Sequence, residues 1–189
     1  MAGEPAERHD GSKARRFKDL ALPHLDDVYT LARYLLRSAT DADDAVQECY
    51  LRAYRHFDTY RGPAIKPWLM AILRNVCHAT RADGTRLVYT SGGDESDEAR
   101  AVPIWSEERD TPEQAILRRH ESDAMRRLIE QLPEEFREVV VLREVHEFSY
   151  REIAAIIDAP IGTVMSRLAR GRLLLREAWL AAEGEGRSA

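Results

Sequence analysis

The sequence predicts an all-α chain of two small helical domains joined by an acidic, flexible linker. Three observations carry that reading. Apolar residues recur at i, i+3 and i+4 in several separate stretches, the signature of amphipathic helices. Capping residues and first-turn prolines punctuate those stretches at helix length. Between Arg81 and Ala115 the composition changes: nine acids face four bases around Ser91-Gly92-Gly93, with little periodicity.

Composition narrows the classes available. The 189 residues are 44% hydrophobic and 32% charged, enough apolar material for packed cores, and the formal net charge is −5. No apolar run is long enough to cross a bilayer and the polar N-terminus has no signal-peptide core, so membrane insertion is not expected and a cytoplasmic location is. Cys49 and Cys77 lie inside helical patterns with no C-x-x-C or histidine pair nearby, and read as buried reduced thiols. No spacing points to a metal site, a cofactor or a catalytic centre.

Taken in order, residues 1–16 are polar and read as a disordered extension, and residues 17–83 form the first domain. Its first helix carries Leu25, Val28, Tyr29, Ala32, Leu35 and Leu36 on one face. Ser38-Ala39-Thr40-Asp41 interrupts it, and a second helix starts with Asp41 as N-cap and Val46, Tyr50, Ala53 and Phe57 inward. A loop spans Tyr60 to Pro67. A third helix then runs from Trp68 to about Ala82, with Pro67 at its head and Leu69, Ile72, Leu73 and Val76 inward. Residues 84–112 are the linker and 113–182 the second domain, which opens on Thr111-Pro112-Glu113-Gln114 as cap, proline and capping-box glutamine. That helix runs to Gln131, and Pro133 opens the next. Residues 183–189 read as a disordered tail.

The second domain contains the most specific local signal. Ser149 and Glu152 make an S-x-x-E capping box for a short helix with Ile153, Ala154 and Ile157 on one side. Asp158-Ala159-Pro160-Ile161-Gly162 breaks it, with proline lacking an amide and glycine supplying backbone freedom. A further helix starts at about Ile161, with Val164, Leu168 and Leu175 inward. Two short helices joined by a tight turn form a major-groove reader. From Ile161 to Arg176 the charges are Arg167, Arg170, Arg172 and Arg176 with no acid among them, a cationic stretch in an acidic chain.

The first domain has two chemical faces. Arg74, Asn75, His78 and Arg81 fall at i, i+1, i+4 and i+7, and the preceding loop adds Tyr60, Arg61 and Lys66. Cations interleaved with aromatic and amide groups suit unstacked bases. Asp41, Asp43, Asp44 and Glu48 instead crowd the start of the second helix, where acids suit the dipole or a protein-docking surface.

DADDAVQECYLRAYRHFDTYRG followed by KPWLMAILRNVCHATR resembles region 2 of a bacterial RNA polymerase sigma factor. LPEEFREVVVLREVHEFSYREIAAIIDAPIGTVMSRLARGR resembles region 4, and the short linker between them resembles the extracytoplasmic-function (ECF) group. The resemblance covers nearly everything from Phe17 to about Leu180. It implies a promoter-specificity subunit rather than an enzyme, with core RNA polymerase, promoter DNA and an anti-sigma factor as partners. Asp44, Gln47 and Glu48 match positions that dock on the β′ clamp helices, and region 4 meets the β flap. Tyr60, Arg61, Lys66, Trp68, Arg74, Asn75 and His78 match the surface that melts the −10 element and holds a flipped base. Met165, Ser166, Ala169 and Arg170 match positions that read the −35 duplex, with Arg167 and Arg172 better placed for phosphate or internal contacts.

Two departures stand out. Met165 and Ala169 occupy positions where relatives often carry larger polar or cationic groups, so readout leans on Arg170 and Ser166, together with thymine-methyl contact or DNA shape. The loop RGPAIKPW is also unusually rich in proline. Other classes fit parts of the pattern: a stand-alone helix-turn-helix regulator, an adaptor that only binds an anti-sigma factor, or a helical enzyme using the Asp41–Glu48 acids with His78. The last lacks a matching ligand set.

Linker length carries its own implication. A flexible coil of 29 residues spans roughly 30 Å between its ends. Promoter elements about 25 base pairs apart are roughly 85 Å apart, close to the reach of about 95 Å of the fully extended linker. Polymerase must hold it stretched.

Overall fold

The structure, a computed structural model, describes residues 5–87 and 123–186, with side chains over 12–82 and 123–182. Most of the expected linker and the Thr111–Gln114 cap lie outside the described residues. The chain forms two compact units, and every regular element among the described residues is a helix.

The first unit contains α1 (Pro5–Ala21), α2 (Leu25–Leu36), α3 (Ala39–His56) and α4 (Ile65–Leu87). Helices α2, α3 and α4 pack against one another. Val28, Leu31, Ala32 and Leu35 of α2 meet Leu69, Met70, Leu73 and Val76 of α4 in a core that also takes Ala42, Ala45, Cys49 and Ala53 of α3. The small α3 residues recur at helical spacing, which lets its neighbours approach closely, while each fully buried Leu or Met contributes about 1.5–3 kcal/mol.

Four expectations for this unit change. Residues 5–16 are helical rather than a disordered extension. Their helix has no long apolar stripe; cations and one aromatic ring anchor it instead. Phe17 meets Tyr50, Tyr54 and Phe57 edge-on, with centroids 6.2, 5.4 and 5.2 Å away. Lys13 bonds Asp58 at 2.5 Å and lies 5.0 Å over the Tyr54 ring, and Arg16 stands 5.3 Å over Phe57. The N-cap of α3 is Ser38, whose Oγ accepts the Asp41 amide at 3.2 Å, so Asp41 is already inside the first turn. Helix α4 begins at Ile65, not Trp68, which places Lys66 and Pro67 in its first turn; proline costs little there because the lost amide has no partner within the helix. The same helix continues through Leu87, so 84–87 are not linker coil.

The second unit contains α5 (described over 123–131), α6 (Glu134–Val140), a π-turn (Val141–Val145), α7 (Tyr150–Ile156) and α8 (Ile161–Gly186). Pro133 caps α6, accepting the amides of Phe136 and Arg137 at 3.0 and 2.9 Å. Buried Arg137 donates to the Glu130 carbonyl at 2.7 Å and closes the α5–α6 corner. Val139, Val140, Val141 and Leu142 join Ile153, Val164 and Leu168 in the core.

The capping box forms as its spacing requires. The Ser149 amide donates to Glu152 Oε2 at 2.8 Å, and the Glu152 amide donates to Ser149 Oγ at 3.3 Å. The turn after α7 works differently from expectation. Asp158, not Gly162, takes positive φ (49°), while Pro160 caps α8 and Gly162 is an ordinary helical residue. A short polar side chain tolerates the left-handed region without glycine. Helix α8 runs to Gly186, so 183–186 belong to it rather than to a disordered tail.

Candidate nucleic-acid interface

In the first unit an aromatic ladder leads to the α3–α4 loop. Phe57 stacks on Tyr60 with centroids 6.2 Å apart and planes at 10°, and Tyr60 tilts against Trp68 at 5.1 Å. Gly62 lets this happen: a Cβ there stands 3.0 Å from the Tyr60 ring. Arg61 folds back, its Nη1 donating to the carbonyls of Asp58 and Tyr60 at 2.5 and 2.9 Å. Partial desolvation raises the Tyr60 pKa, opposed by the nearby Arg16 charge, so the ring keeps a neutral hydroxyl.

The α4 face beyond the ladder is polar. Its core side carries Leu69, Met70, Leu73, Val76 and Cys77, which leaves Asn75 and His78 exposed and Arg74 and Arg81 half-buried on the flank. Lys66 pairs with Asp27 at 2.9 Å and ties the head of α4 to α2. On α3, Asp44 and Gln47 are exposed and Glu48 accepts from Arg52 Nε at 2.6 Å. Among the described residues no set of three or more His, Cys, Asp or Glu side chains is arranged to hold a metal ion. No described helix is long and apolar enough to cross a membrane.

In the second unit α8 is fixed from two sides. Arg172 donates through Nε and Nη2 to Glu144 Oε1 at 2.9 and 2.7 Å, pinning the middle of α8 to the π-turn. That hydrogen bonding, with a contribution from Tyr150, raises the arginine's already high pKa. Arg143 completes the cluster, donating to the Phe148 carbonyl at 2.9 Å and lying 5.5 Å over the Tyr150 ring. Arg167 approaches Glu135 at 3.6 Å. Gly171 is buried against Val140 and Phe136 of α6. The outer face then presents Ile161, Met165, Ser166, Ala169 and Arg170. Ser166 Oγ donates to the Thr163 carbonyl at 3.0 Å.

The structure thus gathers Tyr60, Arg61, Trp68, Asn75 and His78 at the loop and outer face of α4, while Lys66 is engaged in an ion pair. It separates the four α8 arginines into two held by acids, Arg167 and Arg172, and two exposed ones, Arg170 within the outer face and Arg176 beyond it. Sequence reading missed Phe17 and Arg16, which abut the ladder from forty residues upstream, and Ile161, which it took only as a helix start. The aromatic run Tyr50, Tyr54, Phe57 at i, i+4, i+7 was the available signal for the first two.

Comparison with known proteins yields two family matches, in order along the chain. The model for sigma-70 region 2 matches residues 20–86 and that for sigma-70, region 4, matches 122–175. The chain is 32% identical to the RNA polymerase sigma-H factor of Pseudomonas aeruginosa over 168 residues, 88% of this chain and 87% of the relative. It is 38% identical to the ECF RNA polymerase sigma-E factor of Escherichia coli K12 over 136 residues, 70% of each. Among solved structures it is similar to the sigma factor RpoE of Bartonella quintana in complex with the anti-sigma factor NepR. That match has a TM-score of 0.67 at 27% identity and covers 86% of this chain and 96% of the other. The fold also matches CnrH, solved with the cytosolic domain of CnrY, at a TM-score of 0.61 and 23% identity over 94% of this chain and 95% of that one.

Proposed function

Because this chain belongs to the sigma-70 family, in its ECF group, we infer that it is the promoter-specificity subunit of RNA polymerase, controlled by an anti-sigma factor. It binds core polymerase and directs initiation at promoters. Sigma factors are initiation factors, not enzymes, and this one acts on DNA through contacts alone, in the cytoplasm. The observation that carries the reading is the ordered pair of region 2 and region 4 on two separately packed units. A stand-alone helix-turn-helix regulator has no use for the first.

Residue roles follow from chemistry and position. Asp44, Gln47 and Glu48 present an acidic, hydrogen-bonding face of α3 to the β′ clamp helices, and region 4 engages the β flap. The Tyr60–Trp68 pair offers a stacking platform where the −10 strand is opened. Stacking is worth roughly 1–3 kcal/mol per base, comparable to the few kcal/mol that flipping costs. Asn75 and His78 supply hydrogen bonds to base edges and Arg61 and Arg74 supply positive charge, while Lys66 reaches the strand only by exchanging its Asp27 partner for phosphate. On α8, Arg170 and Ser166 face the −35 duplex beside Met165 and Ala169. Arg167 and Arg172 orient the helix and add cationic field.

In vitro transcription with core polymerase on a promoter library, with and without this protein, tests the reading. Promoter-specific starts and a stable holoenzyme are expected with the protein. Their absence defeats it.

A further inference from the structure

Helix α8 carries an apolar row that its own fold does not use. Ile161, Met165 and Ala169 lie at i, i+4 and i+8, one turn apart on the outer side, and Ile161 and Met165 are 45% and 54% exposed. The inner side is already complete, with Val164 and Leu168 fully buried and Gly171 seated against α6. Removing the outer row uncovers nothing in the core.

The polar groups around the row are mostly committed. Arg167 and Arg172 are held by Glu135 and Glu144, and the Ser166 hydroxyl hydrogen goes to the Thr163 carbonyl. Arg170 is exposed and makes no hydrogen bond or ion pair among the described residues. The face therefore offers one strong fork-shaped donor beside an apolar strip. The strip is about 12 Å long at 1.5 Å per residue, or three to four base-pair steps of roughly 3.4 Å.

In the major groove the C5-methyl of thymine is the apolar group a base pair displays, and guanine O6/N7 is the preferred mate of an arginine fork. We propose that Ile161 and Met165 are a thymine-methyl reader, selecting −35 duplexes in which thymines stand next to the guanine taken by Arg170. The proposal rests on the sigma-factor reading above and chooses direct methyl contact over DNA shape. Charge complementarity favours DNA over a protein on this strip. With Arg167 and Arg172 offset by Glu135 and Glu144, the helix from Ile161 to Arg176 still presents exposed Arg170 and Arg176 and no acid of its own, which suits a polyanion.

The test uses holoenzyme assembled from the full chain and a promoter duplex selected from a library randomised at −35. Each thymine of that element is replaced singly by deoxyuridine, which removes the methyl and leaves base pairing intact. Affinity should fall about three- to fivefold at one or more positions, the effect expected of losing one buried methyl contact. Met165→Ala or Ile161→Ala should weaken binding to the thymine duplex and erase the difference between thymine and deoxyuridine. Both positions are exposed, and unchanged thermal melting checks that the variants fold. Equal binding of thymine and deoxyuridine duplexes by the unmodified protein overturns the proposal. So does a methyl effect that persists undiminished in both variants, which assigns it to shape or to other residues. Failure to select any promoter overturns the sigma reading and this inference together, an outcome distinct from promoter selection without methyl sensitivity.

Discussion

Gly171 stands where α8 crosses α6. A Cβ added there lies 2.7 Å from Val140 Cγ2 and 3.4 Å from Phe136 Cβ, both in a packed core. Gly171→Ala should cost about 1–3 kcal/mol through overpacking, read as a lowered urea midpoint. Gly162 is the contrasting case. Its added Cβ meets nothing within 4 Å and its φ is not positive, so Gly162→Ala should raise stability by about 0.5–1 kcal/mol in the same measurement. Burial pushes the Cys49 thiol up from 9.0 to about 12, with Cys77 adding to the effect, and Tyr50 beside it is raised as well. The fold holds the neutral thiol. Its contribution is therefore complete below pH 9, and is lost as pH rises through about 12. The urea midpoint should decline across that window, less steeply in Cys49→Ala, and native Cys49 should resist alkylation at neutral pH. Glycine roles were the least legible feature at this scale. Turn composition around Gly162 suggested a left-handed residue but could not say that Asp158 would adopt it.

The capping box of α7 is a local device, and local devices are what sequence exposes best: Ser149 and Glu152 needed only their spacing of three. Hydrogen bonds from the Ser149 hydroxyl and amide lower the Glu152 pKa below 4.5, so the box is intact above that pH and dissolves as pH falls through the lowered value. Ser149→Ala should cost about 0.5–2 kcal/mol near neutrality. The gap between variant and parent should close in acid, as thermal melting against pH will show. Helix α1 is the opposite case. Its anchors are Phe17, Lys13 and Arg16 on side chains some forty residues later in the chain, and such pairings leave no periodic trace. The start of α3 was ambiguous for a different reason, since Ser38 and Asp41 are both good caps and only the folded chain chooses. The candidate site divided the same way. Arg74, Asn75 and His78 announced themselves by helical spacing, whereas the ladder beneath Tyr60 came from tertiary packing.

For the whole molecule, the charges are segregated: the α8 stretch is cationic while the chain as a whole is acidic. Free protein should bind promoter duplex weakly, and core polymerase should strengthen binding severalfold or more by holding both units against one DNA. Removing about twelve residues from 88–112, the part of the expected linker beyond α4, cuts the maximal reach to roughly 45 Å. Holoenzyme should still assemble while starts at promoters of ordinary spacing disappear, as transcription assays will resolve. A further consequence follows from the pins at Glu144 and Glu135. They make α8 a poor cassette for exchange between relatives. A transplanted recognition helix keeps its rotation through the buried face of Val164, Leu168 and Gly171. One that lacks the two arginines, however, leaves Glu135 and Glu144 as unpaired acids beside the DNA-facing surface, where they oppose phosphate. Rewriting promoter preference in this scaffold therefore means moving the helix together with its two restraints, or changing only the outward residues between them.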